Sequence, residues 1–386
     1  MKKSLIAVAV AGLFAAPVAM AEVTISGAIN VAIQVGKSSA GSTPGAQSLT
    51  TTALGAQYSH VDLESVDDIG GGNKIIFHYQ MNIAGDSPGA MGNTGAITNR
   101  NSFLGVQGGW GAFKMGVNEN VYERFMYTAD PLDGAAGPAG NLNILGTPGG
   151  GFIFENRQDN CTVAGCPDFY RRTQHTIWYE SPNWSGFTFE VDYTLSAFKT
   201  QNQNPQIFSI GGKFQPEGAP FYIDLAYERH DDMFGTVAVG DVVSATSTSK
   251  DTGLQIGGGW QLGDLGLHLR YEQLKYETTG GLGGDNEYKR DAYWFGVKYN
   301  LPSGYIGGEI GIANNGKLNG DSQDDTGAKM FGIGYFHNLS KQSQLQFIYG
   351  RMSNADNANY GFAGTPNGAA LGSDHDVFSA GIKHTF

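Results

Sequence analysis

Apolar side chains recur at every second position in segment after segment of this chain. In residues 186–196 the apolar positions are Phe187, Phe189, Val191, Tyr193 and Leu195. The positions between them are polar or charged, as in Thr188-Phe-Glu190. A period of two is that of a β-strand, whose successive side chains point to opposite faces of a sheet. The pattern therefore predicts strands with one apolar and one polar face.

The lengths and spacing of these segments indicate which β-fold they build. We count about sixteen segments, most near the ~9 to 11 residues that a tilted strand needs to cross a bilayer. Links within pairs are short, as at residues 263–264 and 302–304, whereas links between pairs are long and polar, as at 231–251, 278–290 and 353–373. A soluble sandwich also alternates but has no reason for this asymmetry. The fold class predicted is all-β, a transmembrane antiparallel β-barrel of about sixteen strands with short turns at one rim.

The first 21 residues predict export. Two lysines precede an apolar run that is interrupted by Pro17 and ends in Ala-Met-Ala, a pattern typical of a secretory signal cleaved before Glu22. An N-terminal anchor helix is the less favoured reading because the run is short. Residues 22–386 would then form the barrel, and they contain no apolar run of the roughly 18 residues that a spanning helix needs.

Composition and charge exclude other classes. With 12% aromatic and 40% hydrophobic residues the chain is too apolar to be disordered, and its 58 glycines follow no collagen period. The formal net charge of -12 makes nucleic acid an improbable partner, since binding phosphates requires a basic face.

Residues 118–168 form the longest stretch without alternation. Structureless connections above roughly 12 to 15 residues are usually functional or disordered. If this loop folds into the barrel, it presents negative charge to the interior; a solvated surface loop is the alternative. Its candidate acidic residues are Glu119, Glu123, Asp130, Asp133 and Glu155.

Cys161 and Cys166, the only cysteines, lie within that loop. An exported chain meets an oxidising compartment, so we expect them to form a small disulfide that stiffens the loop locally. Two thiols without further ligands do not predict a metal site.

Enzyme signals are scarce. The chain contains no G-x-S-x-G, H-E-x-x-H or phosphate-binding loop motif, and its eight histidines have no evident serine and acid partners. We therefore predict no catalytic residue, no cofactor and no metal.

The last strand places Phe378, Ala380, Ile382 and the terminal Phe386 on one face. This ending, the opening EVTISGAINVAIQV and the stretch SFLGVQGGWGAFKMGV at residues 102–117 make the chain resemble the general porins of Gram-negative outer membranes. The similarity covers essentially residues 22–386 and is greatest to the neisserial and related proteobacterial branch. Asn30 departs from the acid that family members often carry in the first strand, and the enteric-type PEFGG stretch is missing.

The resemblance implies a homotrimer of sixteen-stranded barrels in the outer membrane, each with a water-filled channel narrowed by an inward-folding third loop. It also implies contact with outer-membrane lipids and lipopolysaccharide, and recognition of Phe386 by the barrel-assembly machinery. Basic wall residues would face the loop across the channel. By order along the chain, the candidates are Lys74, Arg100, Lys114, Arg171 and Arg172.

Three functions remain open on sequence grounds: a general diffusion channel, a substrate-specific channel, and a structural or adhesive barrel. Inward positions such as Gly257 and Gly259 leave space for water, and inward aromatics are scattered, which favours a general channel for ions and small hydrophilic solutes. Inward basic and acidic positions nearly balance, so the excess negative charge lies mainly in loops. We therefore expect weak cation selectivity.

Overall fold

The computed structural model describes residues 22–55, 58–83, 99–133, 138–149, 168–195, 197, 199–233, 247–281, 284–362, 365–366 and 369–386. The predicted signal segment, residues 1–21, lies outside the described residues.

Strands make up most of the described chain. Their bounds are β1 Glu22–Ser38, β2 Leu49–Gly55, β3 His60–Gly70, β4 Asn73–Asn82, β5 Asn99–Gly108, β6 Gly111–Glu119, β7 Arg172–Glu180, β8 Phe187–Thr194, β9 Gln206–Phe214, β10 Phe221–Asp231, β11 Thr248–Leu262, β12 Leu265–Gly281, β13 Gly284–Leu301, β14 Gly304–Ala313, β15 Lys317–Leu318, β16 Asp321–Ser322, β17 Ala328–Asn338, β18 Ser343–Asn354 and β19 His375–Thr385. A short helix, α1, spans Val121–Tyr127, and a 3₁₀ turn spans Asn141–Asn143. No helix among the described residues is long and apolar enough to cross a membrane.

The strands pair antiparallel in chain order and the sheet closes on itself. Strand β19 pairs with β1, with Thr385 opposite Ala28, and Phe386 continues the ladder by exchanging two backbone hydrogen bonds of 3.1 Å with Gly27. Strands β2 and β3 pair with successive parts of β1, so together they count as one strand of the barrel. Strands β15 and β16 form a small hairpin that pairs with β13 outside the main series of strands. Sixteen strand positions remain, so the predicted sixteen-stranded barrel is confirmed.

The two faces of the barrel follow the predicted alternation. On β12, Leu269 is 62% exposed on the outer face, whereas the neighbouring Arg270 and Glu272 are buried on the inner face. Exposed aromatic side chains also lie near the ends of the outer face, among them Phe187, Tyr293, Tyr299 and Tyr335. An apolar outer face edged by aromatics is typical of a barrel that crosses a bilayer.

One predicted long link is wrong. Residues 278–290 are mostly strand, because β12 and β13 extend through them to Gly281 and from Gly284. Polar outward positions on these extensions are occupied by ion pairs: Lys275 Nζ lies 3.0 Å from Glu277 and 2.9 Å from Glu287. The ladder thus continues beyond the apolar band, where such pairs are compatible with water.

Replacing Leu269 with lysine should destabilise the folded barrel by roughly 2–4 kcal/mol, because the new ammonium group would face hydrocarbon near the bilayer midplane. The comparison change Thr188→Lys places the same charge on the inner face, in contact with water, and should cost much less even though it lies opposite Lys213. The measurement is the free energy of unfolding in urea for barrels refolded into lipid vesicles. Equal losses for both variants would contradict the assignment of faces.

Candidate functional site: the segment inside the barrel

After β6 the chain turns into the barrel and follows its inner wall. We call residues 120–133 and 138–149 the inner segment. Their apolar side chains Tyr122, Met126, Leu132 and Ile144 are fully buried in one cluster with wall side chains of β12 to β14, β17 and β18. The predicted loop of residues 118–168 therefore begins two residues later than expected, because β6 continues through Glu119.

The start of α1 is fixed to the wall by its free backbone N–H groups. Asn120 caps the helix, since its side-chain oxygen accepts a bond of 2.8 Å from the backbone N–H of Glu123. The N–H of Val121 donates to Asp192 Oδ2 at 2.8 Å, and that of Tyr122 donates to Ser209 Oγ at 3.0 Å. Groups that every helix leaves unpaired at its first turn are thus used to attach the segment to β8 and β9.

Inward-facing glycines of the wall leave the space that the inner segment occupies. A Cβ at Gly307 would overlap the backbone oxygen of Pro131, and one at Gly211 would lie 2.7 Å from the side chain of Val121. At Gly311 the neighbour is Ile144, at the same separation of 2.7 Å. On sequence grounds, inward glycines predict space for water. Several of them are instead filled by the segment, and Gly257 is filled by the guanidinium of Arg270.

A buried ion pair of the wall holds both ends of the inner segment. Glu272 on β12 accepts from Arg290 Nη1 at 2.8 Å, from the backbone N–H of Gly146 at 2.8 Å, and from Tyr122 Oη at 3.1 Å. Arg290 Nη2 in turn donates to the backbone oxygen of Ile144 at 3.1 Å. Removing one partner of such a pair leaves an uncompensated buried charge, which typically costs about 3–5 kcal/mol.

A pair of carboxyl groups meets where the segment crosses β14. Asp130 accepts from the backbone N–H groups of Leu132 at 2.7 Å and Asn141 at 2.6 Å, and it shares a hydrogen bond with the carboxyl group of Glu309. Two carboxyl groups can share a hydrogen bond only when one of them carries a proton. Desolvation by burial raises the pKa of Asp130 to about 6, although these hydrogen bonds oppose the shift.

Glu119 and Arg172 form the second ion pair of the site, at the base of the segment. The carboxylate of Glu119 also accepts from Tyr58 Oη at 2.8 Å and from Tyr127 Oη, while Arg172 Nη2 donates to it. The backbone N–H of Glu119 donates to Asn101 Oδ1 at 3.1 Å. Both charged side chains are buried, so the pair fixes the base of the segment rather than presenting an open charge.

The other acidic candidates have different surroundings. Glu123 is buried in the first turn of α1. Asp133 accepts from Lys383 Nζ at 2.8 Å and from Gln346 Nε2 at 3.2 Å, which attaches the segment to β18 and β19. Glu155 lies outside the described residues, as do Cys161 and Cys166.

Arg100 lies inside the barrel although its parity is that of the outward Leu104. The pairing of β4 with β5 shifts register between Tyr79 and Met81, and this irregularity rotates Arg100 inward. Its Nε then donates to Gln80 Oε1 at 3.2 Å, and its guanidinium lies 4.0 Å from the ring centre of Tyr58. Arg100 and Arg172 are the two basic candidates that reach the surroundings of Glu119.

The remaining basic candidates do not face the acidic residues of the segment. Lys114 Nζ is paired with Glu180 at 2.6 Å. Lys74 is exposed at the second residue of β4, next to the short turn that joins β3 to β4. Arg171 is buried and donates to the backbone oxygen of Asp168. Among the described residues, Arg100 and Arg172 are therefore the basic candidates shown close to an acidic candidate.

The residues that hold the segment were largely missed at the sequence level. Arg290 fell in a stretch predicted to be a loop, although it is in phase with the inward Ala292 and Trp294, and continuing the alternation would have placed it. Tyr58, between β2 and β3, carried no signal. Within the described part of the chain, no group of three or more His, Cys, Asp or Glu side chains is arranged to hold a metal ion.

Comparison with known proteins agrees with this architecture. A family model described as Gram-negative porin matches residues 7–357. The outer membrane porin protein 32 of Delftia acidovorans is 26% identical over the whole of both chains. The major outer membrane protein P.IB of Neisseria meningitidis serogroup B is 28% identical over 60% of this chain and 61% of its own length.

Solved structures share the fold at lower identity. An anion-selective porin from Comamonas acidovorans superposes with a TM-score of 0.71 at 18% identity, over 95% of this chain and all of its own. Salmonella typhi OmpF gives a TM-score of 0.58 at 13% identity, over 95% and 98% of the two chains. The resemblance found in the sequence is confirmed, and the chain belongs to the Gram-negative porin family of outer-membrane barrels.

Proposed function

We propose that this diffusion porin passes ions and small hydrophilic solutes between the inner segment and the opposite wall of the barrel, with the segment forming the constriction. The observation that supports this is that the segment is attached to only part of the wall. Its described anchors lie on β6 to β14 and on β17 to β19. Polar side chains of β3, β4 and β5 face the same interior, including Asp62, His78 and Arg100.

The constriction that we propose differs in charge from the one expected. Glu119 is paired with Arg172, Asp133 with Lys383, and Asp130 shares a hydrogen bond with Glu309. The expected cation preference rests on an excess of negative charge in the loops, to which Glu119, Asp130 and Asp133 contribute. That preference stays a prediction, and it now depends on charges outside the described part of the segment.

We also infer that three copies assemble, in line with the trimer form in which OmpT of Vibrio cholerae has been solved. Contact with lipopolysaccharide, recognition of the exposed Phe386 by the barrel-assembly machinery, cleavage before Glu22 and a disulfide between Cys161 and Cys166 remain proposals from the sequence. We assign the chain no catalytic role. A substrate-specific channel is the second candidate, and aligned lysine and tyrosine side chains on the inner wall favour it over an adhesive barrel.

Single-channel recording in a planar bilayer tests the proposed function. We expect large ohmic conductance steps, grouped in threes if the trimer forms, and a small reversal potential across a KCl gradient whose sign gives the selectivity. Protein that is folded and trimeric in detergent but passes no current would contradict the channel proposal.

The variant Gly307→Ala should lower the unit conductance, because its Cβ would overlap the Pro131 backbone oxygen and push the inner segment toward the channel axis. The adjacent Gly308→Ala is the matched control, since its Cβ would lie 3.8 Å from the nearest atom, the backbone oxygen of Gly332. Its conductance should equal that of the wild type. If both variants conduct alike, the segment is not held where the structure places it.

Channel noise should depend on pH through Asp130. Because the pKa of Asp130 is raised to about 6, the docked segment favours the protonated form, and docking should weaken as the pH rises towards that value. The docking free energy changes between the ordinary pKa of the carboxyl group and the raised one, so open-channel current noise should increase between roughly pH 4 and pH 6 and level off above that. Asp130→Asn should abolish this dependence, whereas Asp133→Asn should retain it. A dependence that survives in Asp130→Asn would refute the role of Asp130.

A further inference from the structure

Five side chains form two neighbouring groups on the inner face of β9 to β14, near the rim of the barrel that carries the short turns. We call Lys213, Tyr222, His268, Lys298 and Tyr305 the vestibule track. Lys213 Nζ lies 4.6 Å from the ring centre of Tyr222, whose hydroxyl group is 3.0 Å from His268 Nδ1. Lys298 Nζ lies 4.0 Å from the ring centre of Tyr305. The five side chains are half-buried, so the track is open to the interior.

Glycine on the intervening strands allows these side chains to adjoin. A Cβ at Gly259 would lie 2.6 Å from His268 Nδ1 and would also overlap the ring of Tyr222. At Gly266 it would lie 3.3 Å from His268 Nε2. Without these Cβ atoms, the rings of β10 and β12 can lean over the backbone of β11 toward each other.

Lys213 has no carboxylate within ion-pair distance among the described residues, and the carboxylate opposite it is bound by another side chain. Asp224 is opposite Lys213 in the pairing of β10 with β9. Both of its oxygens are bound by Arg270, however, at 2.7 Å from Nη1 and 3.1 Å from Nη2. A bidentate guanidinium is the stronger partner for a carboxylate, so two cations share one negative charge here.

Lys298, on the other side of the vestibule track, is also close to a carboxylate that another cation already binds. The carboxylate whose field reaches it is Asp133, which is bound by Lys383 at 2.8 Å. Among the described residues, neither Lys213 nor Lys298 has a carboxylate within ion-pair distance. Several other lysines and arginines of the interior do have one, as Lys114 does in Glu180 and Arg290 in Glu272.

We propose that the vestibule track is a binding site for small oxyanions, carboxylates or phosphates, that pass through the channel. An ammonium group over a tyrosine ring is stabilised by the negative face of the ring and keeps N–H donors for a ligand. Charge-assisted hydrogen bonds to an oxyanion are the interaction that such unpaired donors favour. The inference rests on the proposed channel function and gives its solutes a chemical class.

Current block in a planar bilayer tests the site. Sodium phosphate or sodium acetate is added to wild-type channels in KCl. For each anion we measure the half-blocking concentration, at which the channel current falls to half of its value without the anion. Both anions should act, more strongly from the short-turn side. Lys213→Gln and Lys298→Gln should each raise the half-blocking concentration by about fivefold, the effect of one partly exposed charge contact. Lys298→Arg should retain the wild-type value.

The matched control is Lys289→Gln, which removes a lysine from the outer face of the same strand, β13, and should leave the block unchanged. Conducting channels that respond to neither anion would overturn the anion site and leave the channel function intact. A response that is equal in wild type, Lys213→Gln and Lys298→Gln would also overturn it. Folded protein that carries no current would instead overturn the channel function.

Discussion

The closed backbone ladder is the constraint on which the rest of this structure depends. In hydrocarbon no water is present to bond an open N–H or C=O group, so a sheet that crosses a bilayer must have no free edge. The pairing of β19 with β1, extended by Phe386 against Gly27, removes that edge. Once the sheet is closed, every second side chain points to lipid and the others must be accommodated in one enclosed space.

That space is too wide for wall side chains alone to fill, and the chain fills part of it with its own inner segment. Doing so brings charged groups into low-dielectric surroundings, where each needs a partner. In the structure, single carboxylates accept hydrogen bonds from several donors. Glu272 accepts from Arg290, Tyr122 and the backbone N–H of Gly146, and Glu119 accepts from Arg172 and two tyrosines. A carboxylate used in this way no longer acts as a free charge for passing ions.

The fold could be predicted from the sequence because alternation and link length are local signals that repeat. The outward Leu269 and the inward Arg270 follow from parity alone. Positions that depend on a register shift could not be predicted in this way, as Arg100 illustrates, because a single extra residue in one strand reverses the face. The partners of the acidic residues were equally hidden, since the contact of Asp133 with Lys383 joins residues far apart in the chain. An inward glycine can leave open space or can allow another part of the chain to pack closely, and only the three-dimensional position of the inner segment distinguishes the two cases.

The inner segment also has a mechanical effect. Its attachments begin at Asp192 on β8 and reach Lys383 on β19, two strands on nearly opposite sides of the barrel. A hollow cylinder under lateral pressure deforms most easily by flattening into an ellipse, and a segment fixed to the wall along more than half of its circumference resists that deformation. The bore of this protein should therefore keep one cross-section in membranes of different tension, so that its size limit is set by the chain and not by the surrounding lipid.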